Sequence, residues 1–233
     1  MDQESAPAVP RHVGIIADGN RRWAKQFGLP AWEGHLAGYN ALKDAIFQLV
    51  DADVAYISTY IFSTENWQRP RPEVAKIMEI TLRIFTSDLD EYMRRGIRIR
   101  VLGIKDGLSD KLVSAINDAE TKSAHLAEAT LCICFNYGGQ REIIDATRRL
   151  LAEGVDPESV TEESFAQYLY APDVPPVDIV VRTSGEHRLS NFMLWRAAYS
   201  EFLFIDKFLP DLRSEDVQAI IDAYGGRHRR FGA

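Results

Sequence analysis

Short apolar runs alternate along this chain with stretches of helical spacing. The runs lie at 12–17, 54–62, 97–103, 130–137, 177–182 and 202–205, and the helical patterns fill 36–50, 73–95, 109–124, 140–153, 161–170 and 213–224. Strands that alternate with helices predict an α/β fold whose parallel sheet is covered on both faces. The pattern at 73–95 is the longest. Val74, Ile77, Met78, Phe85, Leu89 and Tyr92 share one face there, and Ile80, Leu82 and Ile84 widen it. Two readings fit that face: a core helix, or the wall of an apolar ligand tunnel. The last helix opens at Ser214, with Glu215 and Asp216 where the helix dipole favours negative charge, and closes at Gly225-Gly226. A basic tail follows.

No linker rich in Gly, Pro or Ser divides the 233 residues, and the Pro-rich stretch 172–176 reads as a turn into a buried strand. The expected organisation is a disordered lead-in at 1–10 and a single domain over 11–233. A net charge of −7 counts against a nucleic-acid surface. Arginines still cluster at 21–22, 69–71, 94–100, 182–188 and 227–230, either as pockets for small anions or as solvated charge. Cys132 and Cys134 share one strand face, as core thiols of a reducing compartment do. No apolar run approaches the roughly 18 residues of a membrane-crossing helix, and the N-terminus lacks the build of a signal peptide.

Three segments put chemistry at strand C-termini, where parallel sheets bind ligands. The first is Asp18-Gly19-Asn20-Arg21-Arg22-Trp23: one carboxylate, then backbone N–H groups and two guanidiniums suited to an anion. A carboxylate beside a phosphate cradle calls for a divalent cation. The segment has neither the Walker pattern nor the dinucleotide glycines. The second, Ser63-Thr64-Glu65-Asn66-Trp67-Gln68-Arg69, carries hydroxyls, an amide, an indole and a guanidinium. Helix capping explains its hydroxyls but not the rest. The third, Arg182-Thr183-Ser184-Gly185-Glu186-His187-Arg188-Leu189-Ser190, holds two arginines six apart across a glycine turn, a plausible diphosphate clamp. Glu201, between apolar neighbours, needs either a partner or a metal if buried. Two anion pockets, one carboxylate and abundant apolar wall describe a substrate with a diphosphate head and an apolar body.

His12-Val13-Gly14-Ile15-Ile16-Ala17-Asp18-Gly19-Asn20, Gly34-His35, Ser63-Thr64-Glu65-Asn66-Trp67, Asn136-Tyr137-Gly138-Gly139, Arg182 to Arg188 and the terminal Arg230-Phe231-Gly232 follow one another in an order that carries a resemblance. From residue 11 onward the chain resembles the cis-prenyltransferases, the Z-type isoprenyl diphosphate synthases that include undecaprenyl diphosphate synthase. The resemblance implies a single domain with a six-stranded, mostly parallel sheet and an apolar tunnel. It implies Mg²⁺-dependent condensation of isopentenyl diphosphate with an allylic diphosphate of geranyl or farnesyl type, forming Z double bonds. It further implies a cytoplasmic homodimer, with a peripheral membrane contact for product release and no nucleic-acid partner.

By the same resemblance Asp18 and Asn66 are catalytic, and Asp18, His187 and Glu201 are associated with the metal. Gly19, Asn20, Arg21, Arg22 and His35 form the allylic cradle, with Trp23 beside it. Ser63, Thr64, Glu65, Trp67 and Arg69 join the substrate site. Arg182, Arg188, Leu189 and Ser190 form the clamp for isopentenyl diphosphate, and Arg230 and Gly232 reach the partner subunit's site. Asn66 matches a position assigned as proton acceptor; an amide is a very weak base, so orientation of the substrate is the expected role. Ala31 stands where relatives often have arginine, and Arg21 where many have glycine. The guanidinium after Gly138-Gly139 is displaced to Arg141 by Gln140. Tyr39, Leu42, Ile61 and Phe85 mark the tunnel. Ile61, where long-chain members often have alanine, and the bulky Tyr39 favour a product shorter than undecaprenyl. An undecaprenyl or decaprenyl synthase is the alternative. A non-catalytic partner subunit is the reading of another class, and the intact Asp18-Gly19-Asn20 speaks against it.

Overall fold

The structure is a computed structural model that describes residues 9–226. Most of the expected lead-in, together with Arg230 and Gly232, lies outside the described residues. The strands are β1 (His12–Ile16), β2 (Tyr56–Ser63), β3 (Ile97–Leu102), β4 (Ala129–Tyr137), β5 (Ile179–Thr183) and β6 (Glu201–Ile205). They form one parallel sheet in the order β3-β4-β2-β1-β5-β6. The helices are α1 (Asn20–Gln26), α2 (Ala31–Asp51), α3 (Arg71–Phe85), α4 (Leu89–Arg94), α5 (Asp110–Ser123), α6 (Gly139–Ala152), α7 (Glu162–Ala166) and α8 (Ser214–Gly225). The single α/β domain with six parallel strands matches the expectation from periodicity.

Alternation along the strands divides the interior in two. Val13 and Ile15 of β1 face a large core that includes Leu42, Leu49, Phe62, Phe85 and Ile99. Ile16 belongs to a smaller core with Tyr60, Cys132, Cys134, Tyr137 and Phe192. β4 is buried along its whole length, and both cysteines are free thiols inside it. Burial pushes the Cys132 thiol up to about 12, which leaves it inert.

Two helical expectations need correction. The 73–95 pattern is broken into α3 and α4, because Thr86 leaves helical geometry at φ −129, ψ −91. The break falls on Thr86-Ser87-Asp88, residue types whose short polar side chains compete with the helical backbone. The Thr86 hydroxyl donates to the Leu82 carbonyl at 2.8 Å, and the Ser87 hydroxyl donates to Asp88 at 3.0 Å. The 161–170 pattern shrinks to the five residues of α7, opened by Thr161, whose hydroxyl accepts from Ser164 N–H. α1, read only as helix-compatible, is a separate short helix.

Candidate active site

The C-terminal ends of β1, β2 and β5 open onto one cleft of about 820 Å³. Asp18 stands at its centre, just beyond β1. The Thr183 hydroxyl on β5 clasps the Asp18 backbone, donating to its carbonyl at 2.6 Å and accepting from its N–H at 2.9 Å. The carboxylate then accepts from Gly19 N–H at 2.7 Å and from Arg182 Nη2 at 2.8 Å, with Arg22 Nη2 at 3.6 Å. Burial opposes ionisation of Asp18. The Arg182 bond, the Gly19 N–H and the charges of Arg182 and Arg22 outweigh it and hold the carboxyl below its ordinary range. Gly19 sits at φ 104, and a Cβ there would lie 2.8 Å from the Phe208 ring, so glycine is required for the turn.

Arg182 is buried behind Asp18. It also donates to the Arg188 carbonyl and, at 2.8 Å, to the Ser190 hydroxyl, while its Nε has no partner. Arg22 reaches the Ser184 hydroxyl at 2.6 Å and Glu186 at 2.9 Å, and Arg188 pairs with the same Glu186. On the other wall, Glu73 gathers three cationic or ring donors: His35 Nε2 at 3.1 Å, Arg69 Nη1 at 3.3 Å and Arg21 Nε at 3.7 Å. A carboxylate only accepts, so the His35 proton sits on Nε2. Burial, against the pull of Glu73, lowers His35 from its ordinary value and favours the neutral ring.

The cleft continues past Ile61 into an apolar recess of about 50 Å³, lined by Tyr39, Leu42, Ile77, Ile80, Ile84 and Leu209 among others. Tyr39 is held across it: its hydroxyl donates to Asp88 at 2.5 Å, and Lys43 lies 3.6 Å from the same carboxylate. Asp88 sits at the break between α3 and α4, so the interruption of the long helix is what holds this wall.

Residues 16–232 match the family model described as "Putative undecaprenyl diphosphate synthase". The isoprenyl transferase of Thermotoga maritima is 43% identical over 226 residues, covering 96% of this chain and 97% of that protein. A trans,polycis-polyprenyl diphosphate synthase of Thermobifida fusca, described as specific for (2Z,6E)-farnesyl diphosphate, is 43% identical over 228 residues, covering 96% and 81%. Among solved structures, lavandulyl diphosphate synthase from Lavandula x intermedia, in complex with dimethylallyl diphosphate, superposes with a TM-score of 0.93 at 33% identity, covering 97% and 99%. The chain belongs to the cis-prenyltransferase family.

In this prenyltransferase the cleft brings together Asp18, Gly19, Asn20, Arg21, Arg22, His35, Ser63, Asn66, Arg69, Arg182, Arg188 and Ser190. Several expected members lie elsewhere. Thr64 and Trp67 line a different, open groove with Ile104 and Asn136. The cause is the 3-10 turn Thr64–Gln68, where residues three apart are stacked. Ser63, Asn66 and Arg69 therefore share the cleft face, and Thr64 and Trp67 share another. Glu65 accepts from Asn191 at 3.2 Å rather than facing the cleft. The Trp23 indole donates to Asp211 at 2.8 Å and packs on Phe27, anchoring α1. Leu189 packs against the smaller core, and Phe85 is buried in the larger one without lining the recess.

Glu201 is not brought to Asp18. It opens β6 opposite Ile179, at the far end of the sheet from Thr183 and Ile205, about 13 Å away at the usual rise per residue. His187 stacks on Phe204 at 4.5 Å. Among the described residues, no group of three His, Cys, Asp or Glu converges as a metal site. Glu73 is the residue sequence reasoning missed. Its position in the first turn of α3 reads as ordinary dipole compensation, and only its spacing of four from Arg69 hinted at more. Ala31, Lys25 and Leu29 also line the cleft, with Arg21 on the same surface.

Proposed function

We propose that this prenyltransferase condenses isopentenyl diphosphate with a short allylic diphosphate and stops well short of the undecaprenyl chain. The observation that carries this reading is the small size of the apolar recess, about 50 Å³, with the bulky Tyr39 and Ile61 in its lining. A cavity of about 150 Å³ is what one benzene ring occupies, so the recess as it stands has no room for several isoprene units. The lavender enzyme, solved with dimethylallyl diphosphate, supports the short end of the substrate range, with geranyl and farnesyl diphosphates above it.

Gly19, Asn20, Arg21, Arg22 and His35 cradle the allylic diphosphate, and Arg182, Arg188 and Ser190 clamp that of isopentenyl diphosphate. The donor set fits Mg²⁺: one half-exposed, ionised carboxylate facing an anion cradle suits a cation that takes one or two carboxylates and completes its shell with phosphate oxygens and water. Asp18 would hold it, and when bound it supplies charge stabilisation to the departing diphosphate. The alkene of isopentenyl diphosphate attacks the allylic carbon, the C–O bond breaks, and a C–H proton is lost as the Z double bond forms.

Asn66 is not the proton acceptor in this scheme. Its Oδ1 accepts from Ser63 N–H at 3.2 Å, and since that N–H needs an acceptor, the NH₂ group is left for the cleft. It orients a diphosphate, and a diphosphate oxygen takes the proton.

Two surfaces support the expected partners. Phe27 and Trp32, 58% and 41% exposed, stand beside the cleft residues Lys25 and Leu29, a rim suited to peripheral contact with an anionic lipid surface as product leaves. β6 ends the sheet with Phe202 and Phe204 half-buried, an edge suited to a second copy in a homodimer. The deciding experiment incubates the protein with isopentenyl diphosphate, Mg²⁺ and, in turn, dimethylallyl, geranyl and farnesyl diphosphates, and reads product length by mass spectrometry. Short Z-products with at least one primer are expected; an undecaprenyl product would overturn the length assignment.

A further inference from the structure

The end of β4 ties the two walls of the cleft together without entering it. Asn136 is buried at φ 48, a left-handed backbone that asparagine tolerates. Its Oδ1 accepts from the Trp67 indole at 2.8 Å, and its Nδ2 donates to the carbonyls of Ile104 and Asp106, each at 3.0 Å. Trp67 is the neighbour of Asn66 in the 3-10 turn, and its ring also meets Phe62 edge-on at 5.2 Å.

Two residues later the chain runs against the turn that carries Ser190. A Cβ on Gly138 would lie 2.8 Å from Asn191 Nδ2 and 3.0 Å from Thr64 Oγ1, and one on Gly139 would lie 3.0 Å from the Asn191 carbonyl. Gly139 N–H donates to that carbonyl at 2.7 Å, and Gln140 N–H donates to Asn191 Oδ1 at 2.8 Å. Asn191 Nδ2 closes the circuit by donating to Glu65 at 3.2 Å. Ser190 and Asn191 both have positive φ, 50 and 67, a backbone that persists only where its surroundings hold it. Of the connected residues, only Asn66 and Ser190, at the two ends, line the cleft.

We infer that Asn136, acting through Trp67, and Gly138 and Asn191, acting through Glu65 and the Ser190 turn, are positioning residues that set the spacing between the Asn66 face and the Ser190 clamp. The inference rests on the proposed reaction, in which these two faces hold the reacting diphosphates. It gives Asn136, Gly138, Gly139, Glu65 and Trp67 a common role that needs no contact with substrate.

Trp67→Phe keeps an aromatic ring beside Phe62 and removes the N–H to Asn136 together with one ring of the indole. It is expected to lower kcat about tenfold, with KM for the allylic diphosphate and the thermal midpoint nearly unchanged, because a small misplacement is enough to slow a positioned reaction. In an Asn66→Ala background the same change is expected to cost less than about twofold, since the two act as one unit. Wild-type kcat in Trp67→Phe, or an undiminished tenfold loss in the Asn66→Ala background, would overturn the inference. Gly138→Ala reads the other end: its Kd for isopentenyl diphosphate, measured by calorimetry, is expected to rise about tenfold, and an unchanged Kd in a folded variant counts against it. If the wild-type protein formed no product with any primer, the assigned reaction would fall. The calorimetric comparison would still decide whether the β4 end positions the clamp.

Discussion

Asp18 and Arg182 meet at 2.8 Å in the cleft, and Glu142 and Arg196 meet at 2.7 Å inside the smaller core. The lengths are nearly equal and the surroundings are not. Around Arg196 every group is answered: its guanidinium also donates to the carbonyls of Val174, Tyr170 and Ala171, while Glu142 accepts from Tyr170 N–H and the Tyr137 hydroxyl. Both of its side chains are almost wholly buried, 4% and 1% exposed. Around Arg182 one Nε is left without a partner, and Asp18 is 31% exposed toward open space. A pair closed on all sides fixes structure; a pair whose carboxylate opens onto a cavity is available to a ligand.

That contrast is open to direct attack. The largest effect is expected inside the core: Glu142→Ala strands a buried guanidinium and should cost about 3–5 kcal/mol in urea unfolding, whereas Asp18→Asn, which removes a charge but keeps a side-chain oxygen for Arg182, should cost clearly less. The second effect reverses the roles. Asp18→Asn should lower kcat by about 10²–10³, as loss of a preorganised electrostatic group does; near-normal turnover would remove Asp18 from the chemistry.

The third effect is a pH dependence belonging to the closed side. His12 is buried; its Nδ1 donates to the Pro175 carbonyl at 2.9 Å and its Nε2 accepts from the Ser58 hydroxyl at 2.8 Å. Burial lowers its pKa to about 4. The unfolded chain then binds the proton more tightly, so stability is full above about pH 6.5 and falls as pH drops toward 4, by about 2 kcal/mol at pH 5. Urea midpoints of wild type and His12→Gln between pH 7 and pH 4.5 test this: the variant should lose the slope. The fourth effect changes product rather than rate. Tyr39→Ala with Ile61→Ala should lengthen the product, and an unchanged mass spectrum would mean that these residues do not limit it. Smallest is the rim, where Phe27→Ser with Trp32→Ser should weaken sedimentation with anionic vesicles by about tenfold or less.

Much of this is legible in the amino-acid sequence. Strand positions follow from continuous apolar runs, since a parallel sheet is buried on both faces, and Asp18, Arg182 and Ser190 stand where such runs end. What stayed hidden depended on which way a side chain turns. A run such as Ser63 to Arg69 does not announce 3-10 geometry, so the sequence alone groups Trp67 with Asn66 although it lines a different groove. The break at Thr86 was masked by apolar spacing that continues through it to Tyr92. Glu201 lies close in sequence to cleft residues but at the wrong end of its strand, because direction along a parallel sheet is a property of topology. Glu73 was nearly invisible: apart from Arg69, four residues before it, its partners come from α1 and α2.

Strand order also governs how the protein can be made. β1 lies between β2 and β5, but β5 begins at Ile179, far downstream of Ile16. At ordinary synthesis rates the wait between them is on the order of ten to thirty seconds. Throughout that interval one edge of β1 has no hydrogen-bonding neighbour, and Asp18 lacks both the hydroxyl that clasps it and the guanidinium that pairs with it. A nascent chain halted before β5 would lack its site and carry an unpaired strand edge at once, so for this fold the last quarter of synthesis both completes the enzyme and removes an aggregation-prone edge.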